Sequence, residues 1–264
     1  MRLTFPERSD PQADAVPLSD AAAVEAIAAA SWYHRFEVRP GLMTPGVSDM
    51  AAGAALDALG LPADLTGCTA LDVGAWDGSL TFELERRGAT AFALDIQEPA
   101  RVGFDAARRI TGSRAVHYRG SVYQLPHDLL SGLDHIVFRG VFYHLKYPLL
   151  AFECLSAALK MGGRLYFEGE TFLHYAEKAD GTPIQENLSR FAQSEIPLTL
   201  CYPNRYKGSS NWFIPNPACL RVWMEMSGLR VDTLHTFTED GAQRSYGVAT
   251  KVAEQAEQLE HPLY

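Results

Sequence analysis

From Cys68 to Glu170 short apolar runs alternate with helix-length segments, and few folds accept that order. CTALDV (68–73), TAFALDI (90–96), RAVHYRG (114–120), DHIVFRG (134–140) and RLYFEGE (164–170) have strand length and little polar interruption. Between them, SLTFELERRG (79–88), residues 99–111 and the stretch Pro148 to Leu159 have helical length, the last opened by a proline suited to a first turn. Lys160 to Gly163 reads as a turn into the fifth run. Apolar strands separated by helices predict a parallel sheet covered on both faces. A helix from about Pro217 to Ser227 then precedes LRVDTLHTF (229–237) and SYGVATKV (245–252). Only TEDGAQR separates those two runs, too little for a crossover, so they pair antiparallel.

The expected architecture is therefore α/β: a Rossmann-like, doubly wound, mostly parallel seven-stranded sheet ending in an antiparallel hairpin. An N-terminal helical cap segment precedes it. Residues 1–18 read as a loose arm, and 19–31 as a helix capped by Ser19 or Asp20. SWYHRFEV and RPGLMTPG read as an extended segment entering a turn, and a helix from about Asp49 to Leu59 ends at Gly60. This divides the chain into a cap, 1–62, and a main domain, 63–264, with a lid-like insertion at about 171–216. The excess of acidic over basic residues, 23 − 32 = −9, argues against a nucleic-acid footprint over the whole surface. No run approaches the ~20 apolar residues that a membrane span needs, so no membrane partner is expected. Cys68, Cys154, Cys201 and Cys219 form no CxxC pair and no metal-ligand spacing. They read as reduced thiols of a cytoplasmic protein, with no metal site.

The first strand runs into Leu71-Asp72-Val73-Gly74-Ala75-Trp76-Asp77-Gly78. In such sheets ligands lie beyond the carboxyl ends of the strands. Gly74 and Gly78 permit a sharp turn and close backbone approach to a ligand. The spacing is D-x-G-x-x-x-G, with Trp76 where a dinucleotide loop wants its middle glycine, which tells against a nicotinamide cofactor. Asp72 and Asp77 would repel a pyrophosphate but suit a ligand carrying an ammonium and a sulfonium, as S-adenosyl-L-methionine does. Asp95, at the end of the second strand, is placed to accept hydrogen bonds from a ribose diol. Ser121, Val122 and Tyr123 are placed to border an adenine, and Arg139 to lie beside the amino-acid part of the cofactor.

Taken together, Leu71 to Gly78, Asp95, DHIVFRG and GGRLYFEGE resemble class I S-adenosylmethionine-dependent methyltransferases. GVFYHLKYP (140–148) and PNRYKGSSNWFIPN (203–216) resemble the narrower family that includes the tRNA wobble-uridine carboxymethyltransferase. SWYHRFEV…TPG (31–46) and GAWDG (74–78) are similar to uncharacterised members of that family. The resemblance implies cofactor contacts at Gly74, Asp95, Ile96, Gln97, Val122, Tyr123 and Arg139, the last replacing a methionine. It also implies that Tyr143 and Arg244 match residues binding the carboxylate of carboxy-S-adenosyl-L-methionine, the alternative cofactor. The lysine that completes that site in the tRNA enzyme has no counterpart in Pro40 to Asp49, so plain methyl transfer is expected.

Methyl transfer is an in-line displacement in which alignment is the enzyme's chief task. An oxygen or carbon acceptor must also lose a proton, usually to a histidine or a carboxylate. His144, Glu170 and His34 are the candidates. Tyr33, beside His34, lies in a segment expected to fold over the cofactor. In the insertion, Tyr202, Arg205, Tyr206, Asn211 and Trp212 suit a partly polar small acceptor, and Tyr143 and Arg244 suit its carboxylate or phosphate. The expected function is methyl transfer to a small organic molecule of the kind met in specialised-metabolite biosynthesis. The alternative is methyl or carboxymethyl transfer to a tRNA wobble uridine. The oligomeric state and the identity of the acceptor are left open.

Overall fold

The computed structural model describes residues 6–11, 18–126, 129, 132–184, 188–208, 210–239 and 241–253. Its residue contacts group into two units, Met1–Val137 and Phe138–Tyr264.

The first unit opens with β1 (Glu7–Ser9) and α1 (Asp20–Ala29), whose cap is Ser19, its hydroxyl accepting from the Ala22 amide. β2 (Glu37–Arg39) and β3 (Leu42–Met43) form a small antiparallel hairpin. α2 (Ala52–Ala58) starts three residues later than its pattern suggests. Ser48 is the reason: its amide donates to the Tyr33 carbonyl and its carbonyl accepts from Arg35, which keeps this stretch extended. β4 (Thr69–Val73), α3 (Ser79–Arg86), β5 (Thr90–Asp95), α4 (Phe104–Thr111), β6 (Val116–Arg119) and β7 (Leu133–Arg139) follow. β4, β5 and β6 run parallel. α4 begins only after Gly103, whose φ is +83°. A Cβ there would lie 2.8 Å from the Trp32 ring, so only glycine fits beneath it.

In the second unit one turn of 3-10 helix, Phe142–His144, leads to α5 (Pro148–Ala158) and β8 (Leu159–Glu170). The insertion contains α6 (Ser189–Ala192) and a two-stranded ribbon of β9 (Thr199–Cys201) and β10 (Phe213–Pro215). α7 (Pro217–Met226), capped by the Asn216 side chain, precedes the hairpin of β11 (Leu229–Glu239) and β12 (Ala242–Lys251). β12 pairs antiparallel with β11, as the short connection requires, and antiparallel with β8 on its other side.

The strand order is β1-β6-β5-β4-β7-β8-β12-β11. This is the expected α/β sheet with its antiparallel hairpin, but it has eight strands. The extra one is β1, antiparallel to β6 in the register Glu7↔Arg119 and Ser9↔His117. The arm expected to be loose over 1–18 is thus corrected at 7–9, while 1–5 and 12–17 lie outside the described residues. The turn expected at Lys160 to Gly163 is also corrected, because β8 already begins at Leu159. The glycine pair Gly162-Gly163 suggested a turn; Gly162 does take φ +77° and Lys160–Gly162 are exposed, but the stretch lies within the strand.

His117 on β6 is fully buried, 4.6 Å from Phe104 between ring centroids, and neither ring nitrogen has a hydrogen-bond partner. Burial, with the nearby charges of Arg108 and Arg119, pulls its pKa down to about 4. The folded chain therefore keeps this ring neutral where the unfolded chain protonates it, and stability falls as pH drops from about 6.5 towards 4. In urea unfolding at pH 7 and pH 4.5, His117→Leu should reduce the acid-induced loss by about 2 kcal/mol relative to the unaltered chain.

Candidate functional site

In the first unit the glycine loop joins β4 to α3, and its shape is fixed from beneath. Gly74 is exposed with φ +79°, and its amide donates to the Leu94 carbonyl at 2.8 Å. Trp76 adopts φ +48°, a conformation uncommon outside glycine. Its amide donates to Asp95 Oδ2 at 2.8 Å. Gly78 closes the turn at φ +85°, where a Cβ would come within 2.7 Å of the Phe82 and Phe104 rings.

Asp95 ends β5 and is 7% exposed. Its second oxygen accepts from the Gln97 amide at 2.8 Å. Burial raises its pKa, against the amide hydrogen bonds from Gln97, Trp76 and Ile96. Each carboxylate oxygen keeps lone-pair capacity for a further donor. Ile96, next in line, is 68% exposed. Past β6, Ser121 Oγ accepts from the Tyr123 amide at 3.3 Å, which leaves Val122 buried and Ser121 and Tyr123 half-buried.

Asp72 and Asp77 depart from the expectation that they face a ligand. Asp72 is 2% exposed and accepts from Thr81 Oγ1 at 2.7 Å, and burial raises its pKa to about 6. It points into the covered interior and fastens the first turns of α3. Asp77 is fully buried and accepts from the backbone amides of Tyr33 (2.9 Å) and His34 (2.7 Å) and faces His34 Nδ1 (2.6 Å). The chain's own cap segment satisfies it. Tyr33 is half exposed, its ring 6.1 Å from that of Trp76 between centroids.

These residues fit S-adenosylmethionine. Gly74 offers open backbone, Asp95 offers two oxygens for a diol, and the Trp76 indole N–H is shielded from solvent without a partner. Among the described residues no cluster of three or more His, Cys, Asp or Glu side chains suits a metal.

The second unit carries a charged cluster. Arg139 Nε lies 3.2 Å from Glu168 Oε2, and Arg244 Nε donates to Glu168 Oε1. The other end of Arg244 donates to the Tyr143 hydroxyl at 3.2 Å and reaches Glu170 at 3.6 Å. Lys207 Nζ donates to Glu170 at 2.7 Å and to the Gly241 carbonyl at 2.9 Å, over the rings of Tyr175 and Tyr206. Arg139, Arg244 and Lys207 thus gather around the buried carboxylates of Glu168 and Glu170, with Glu177 accepting from the Lys207 amide at 3.1 Å and from the Tyr175 hydroxyl. Burial works against the Arg244 charge, but Glu168 and Tyr143 outweigh it and hold its pKa above the ordinary range. Gly169 has no Cβ where one would lie 2.5 Å from Phe142 and 2.9 Å from Tyr143, so β8 passes flush against the aromatic turn.

The remaining expected residues divide. His144 Nδ1 faces the Ser210 carbonyl at 3.0 Å, so that nitrogen carries the proton and Nε2 is the acceptor. Burial lowers its pKa and the Ser210 hydrogen bond opposes this. Glu170, expected as a base, is instead tied to Lys207 and Arg244, and those cations occupy its lone pairs. Tyr202 (5% exposed) and Tyr206 (0%) are not an open wall either; their rings lie 4.7 Å apart within the insertion's own core. Arg205 is exposed and donates to the Asp180 carbonyl. Asn211 is buried and donates to the Tyr206 carbonyl, while the Trp212 amide donates to the Tyr143 carbonyl at 2.8 Å.

Lys207, Glu168 and Gln243 escaped the sequence reading. Glu168 and Glu170 are two apart on a strand and so share a face, which is a readable signal. Their pairing with Arg244 depends on the β8–β12 register, Arg244↔Glu170. Buried Gln243 Oε1 accepts from three successive amides, Leu173 (3.1 Å), His174 (2.5 Å) and Tyr175 (2.8 Å), a local nest that nothing in the sequence announces. A cleft of about 440 Å³ near Leu173, Gln193, Pro217 and Phe237 is lined by none of the expected site residues.

Residues 71–165 match the model of a family described as a methyltransferase domain. A tRNA U34 carboxymethyltransferase of Klebsiella pneumoniae is 28% identical over 199 residues, covering 72% of this chain and 53% of that protein. The chain spans about half the length of the curated relatives it matches. The 1,6-didemethyltoxoflavin-N1-methyltransferase of Burkholderia thailandensis, solved with S-adenosylhomocysteine, superposes with a TM-score of 0.54 at 13% identity, covering 95% of this chain and 100% of its own. The magnesium protoporphyrin IX methyltransferase of Synechocystis, also with bound S-adenosylhomocysteine, gives 0.52 at 16% identity, covering 76% and 81%. At such identities the likeness speaks to the fold.

Gln243→Ala would remove the shared acceptor of three amides at the partly buried Leu173 and Tyr175 and the exposed His174. It should lower unfolding stability by about 1–2 kcal/mol. Faster hydrogen exchange at Leu173, His174 and Tyr175 should accompany the loss.

Proposed function

We propose that this chain, a class I S-adenosylmethionine-dependent methyltransferase, transfers a methyl group to a small organic acceptor bearing a carboxylate or phosphate. The observation that carries this reading is the half-buried group of guanidinium and ammonium donors at Arg244, Arg139 and Lys207 in a chain whose net charge is −9. Such donors suit a single anionic group. A polyanion would meet an acidic protein.

In this reading Asp95 receives the ribose hydroxyls, and Gly74 and Trp76 present backbone and indole N–H. Ile96 and Gln97 flank the ribose, Ser121, Val122 and Tyr123 border the adenine, and Tyr33 covers the loop. Bound there, the cofactor supplies an electrophilic methyl group on a sulfonium, and the protein's task is alignment. Arg244, held by Glu168 and Tyr143, offers its planar fork to the acceptor's anionic group. Lys207 and Arg139 add charge from either side. Burial disfavours the charged form of His144, whose Nδ1 faces the Ser210 carbonyl.

A second reading is methyl or carboxymethyl transfer to a tRNA wobble uridine, favoured by the 28% identity to proteins of that name. There the Tyr143–Arg244 pair would serve a carboxylate on the cofactor.

Calorimetry should detect S-adenosylhomocysteine binding by the unaltered chain, weakened about tenfold or more by Asp95→Ala, which removes a charge-assisted acceptor. A folded sample without binding would contradict the cofactor assignment. Arg244→Ala should raise KM for the acceptor far more than it lowers kcat. The mass gained by the product separates methyl from carboxymethyl transfer, and salt-sensitive tRNA binding would favour the second reading.

A further inference from the structure

Asp77 spends its two oxygens differently. Oδ2 accepts both backbone amides, from Tyr33 and His34, and Oδ1 faces only His34 Nδ1, at 2.6 Å. The backbone bonds alone would fasten the cap to the loop, so the third contact does something further. The histidine is also fixed from its other side. Thr44 Oγ1 donates to the His34 carbonyl at 2.7 Å, and His34 bridges to Ser48. Gly46 lies so close that a Cβ would fall 2.2 Å from the His34 carbonyl carbon. A carboxylate facing Nδ1 places the ring proton there and leaves a lone pair on Nε2. The His34 side chain is 13% exposed, whereas Asp77 is shut off entirely. Asp77 belongs to the glycine loop itself and interacts electrostatically with Asp95, as His34 does with Asp72.

We propose that His34 is the base that takes a proton from the acceptor, and that Asp77 is the positioning residue that orients it and stabilises the imidazolium it becomes. This rests on the methyl-transfer reading above and narrows the acceptor class to molecules whose oxygen or carbon nucleophile must lose a proton. With a hydroxyl acceptor, His34 Nε2 takes the O–H proton, and the oxygen keeps the bonding pair and bonds to the methyl carbon as the carbon–sulfur pair goes to sulfur. The imidazolium then passes its proton to water. A carboxylate behind a histidine does the same in unrelated hydrolases, holding the tautomer and stabilising the charge that forms. His144 has the Ser210 carbonyl and hydroxyl at Nδ1 and no carboxylate hydrogen-bonded to its ring, so it lacks that second function.

Two measurements on the full chain test this. Nitrogen-15 imidazole spectra at pH 8, with and without S-adenosylhomocysteine, should show His34 protonated on Nδ1 alone, with the preference lost in Asp77→Asn. A proton on Nε2, or on both nitrogens, would overturn the proposal. The second measurement follows label from methyl-labelled S-adenosylmethionine into a small-molecule extract of the source cells. His34→Ala should lower transfer by about 100-fold or more, the usual scale for a lost general base. S-adenosylhomocysteine affinity should be unchanged, and added imidazole should restore part of the rate, which a structural role would not permit. Undiminished transfer by His34→Ala would overturn the proposal. Failure of the unaltered chain to bind S-adenosylhomocysteine would instead contradict the cofactor assignment, and the spectrum would still decide His34.

Discussion

Two buried carboxylates give the glycine loop its form. A tight turn between a strand and a helix leaves amides with no partner in either element, and burying such groups unpaired is costly. Asp95 answers those of Trp76 and Gln97, and Asp77 answers those of Tyr33 and His34 from the cap. The loop cannot relax without stripping an acceptor from two amides at once. Of its left-handed positions, Trp76 is held by Asp95, while Gly74 and Gly78 donate to the Leu94 and Ala75 carbonyls. Electrostatics here acts through directed hydrogen bonds to buried acceptors rather than through an open patch of negative charge. That distinction matters for recognition, because a pre-shaped loop loses little freedom when a ligand arrives.

Arg244 is the corresponding organiser of the second unit. It lies over the Tyr143 ring, bonds the Tyr143 hydroxyl and pairs with Glu168 and Glu170. Buried ion pairs are poor sources of stability, since desolvation offsets much of the attraction. What this cluster does fix is direction, since Glu168 and the Tyr143 hydroxyl hold the Arg244 guanidinium from two sides. Gln243, one residue earlier on β12, anchors the insertion through three amides, so neighbouring positions on one strand set both the charge and the wall near it.

The strands and helices from Thr69 to Glu170 were legible because periodicity and glycine or proline punctuation agree there. β1 was not, since Glu-Arg-Ser carries no apolar alternation and becomes a strand only through pairing with β6. The acidic residues of the loop could be found in the sequence, but not their direction. Asp72 meets Thr81 nine residues on, and Asp77 meets a segment more than forty residues back; both contacts are tertiary. Tyr202 and Tyr206 read as binding aromatics by composition, whereas their mutual packing buries them. Lys207 was passed over because its partners, Glu170 and Gly241, come from distant strands.

The most direct test of a loop shaped for a nucleoside is a crystal structure of the chain with S-adenosylhomocysteine. The ribose hydroxyls should lie within hydrogen-bond distance of the Asp95 carboxylate, with Asp77 still bonded to Tyr33 and His34 and the loop unmoved. A nucleoside seated elsewhere, or reached only after Asp77 releases the cap, would contradict it.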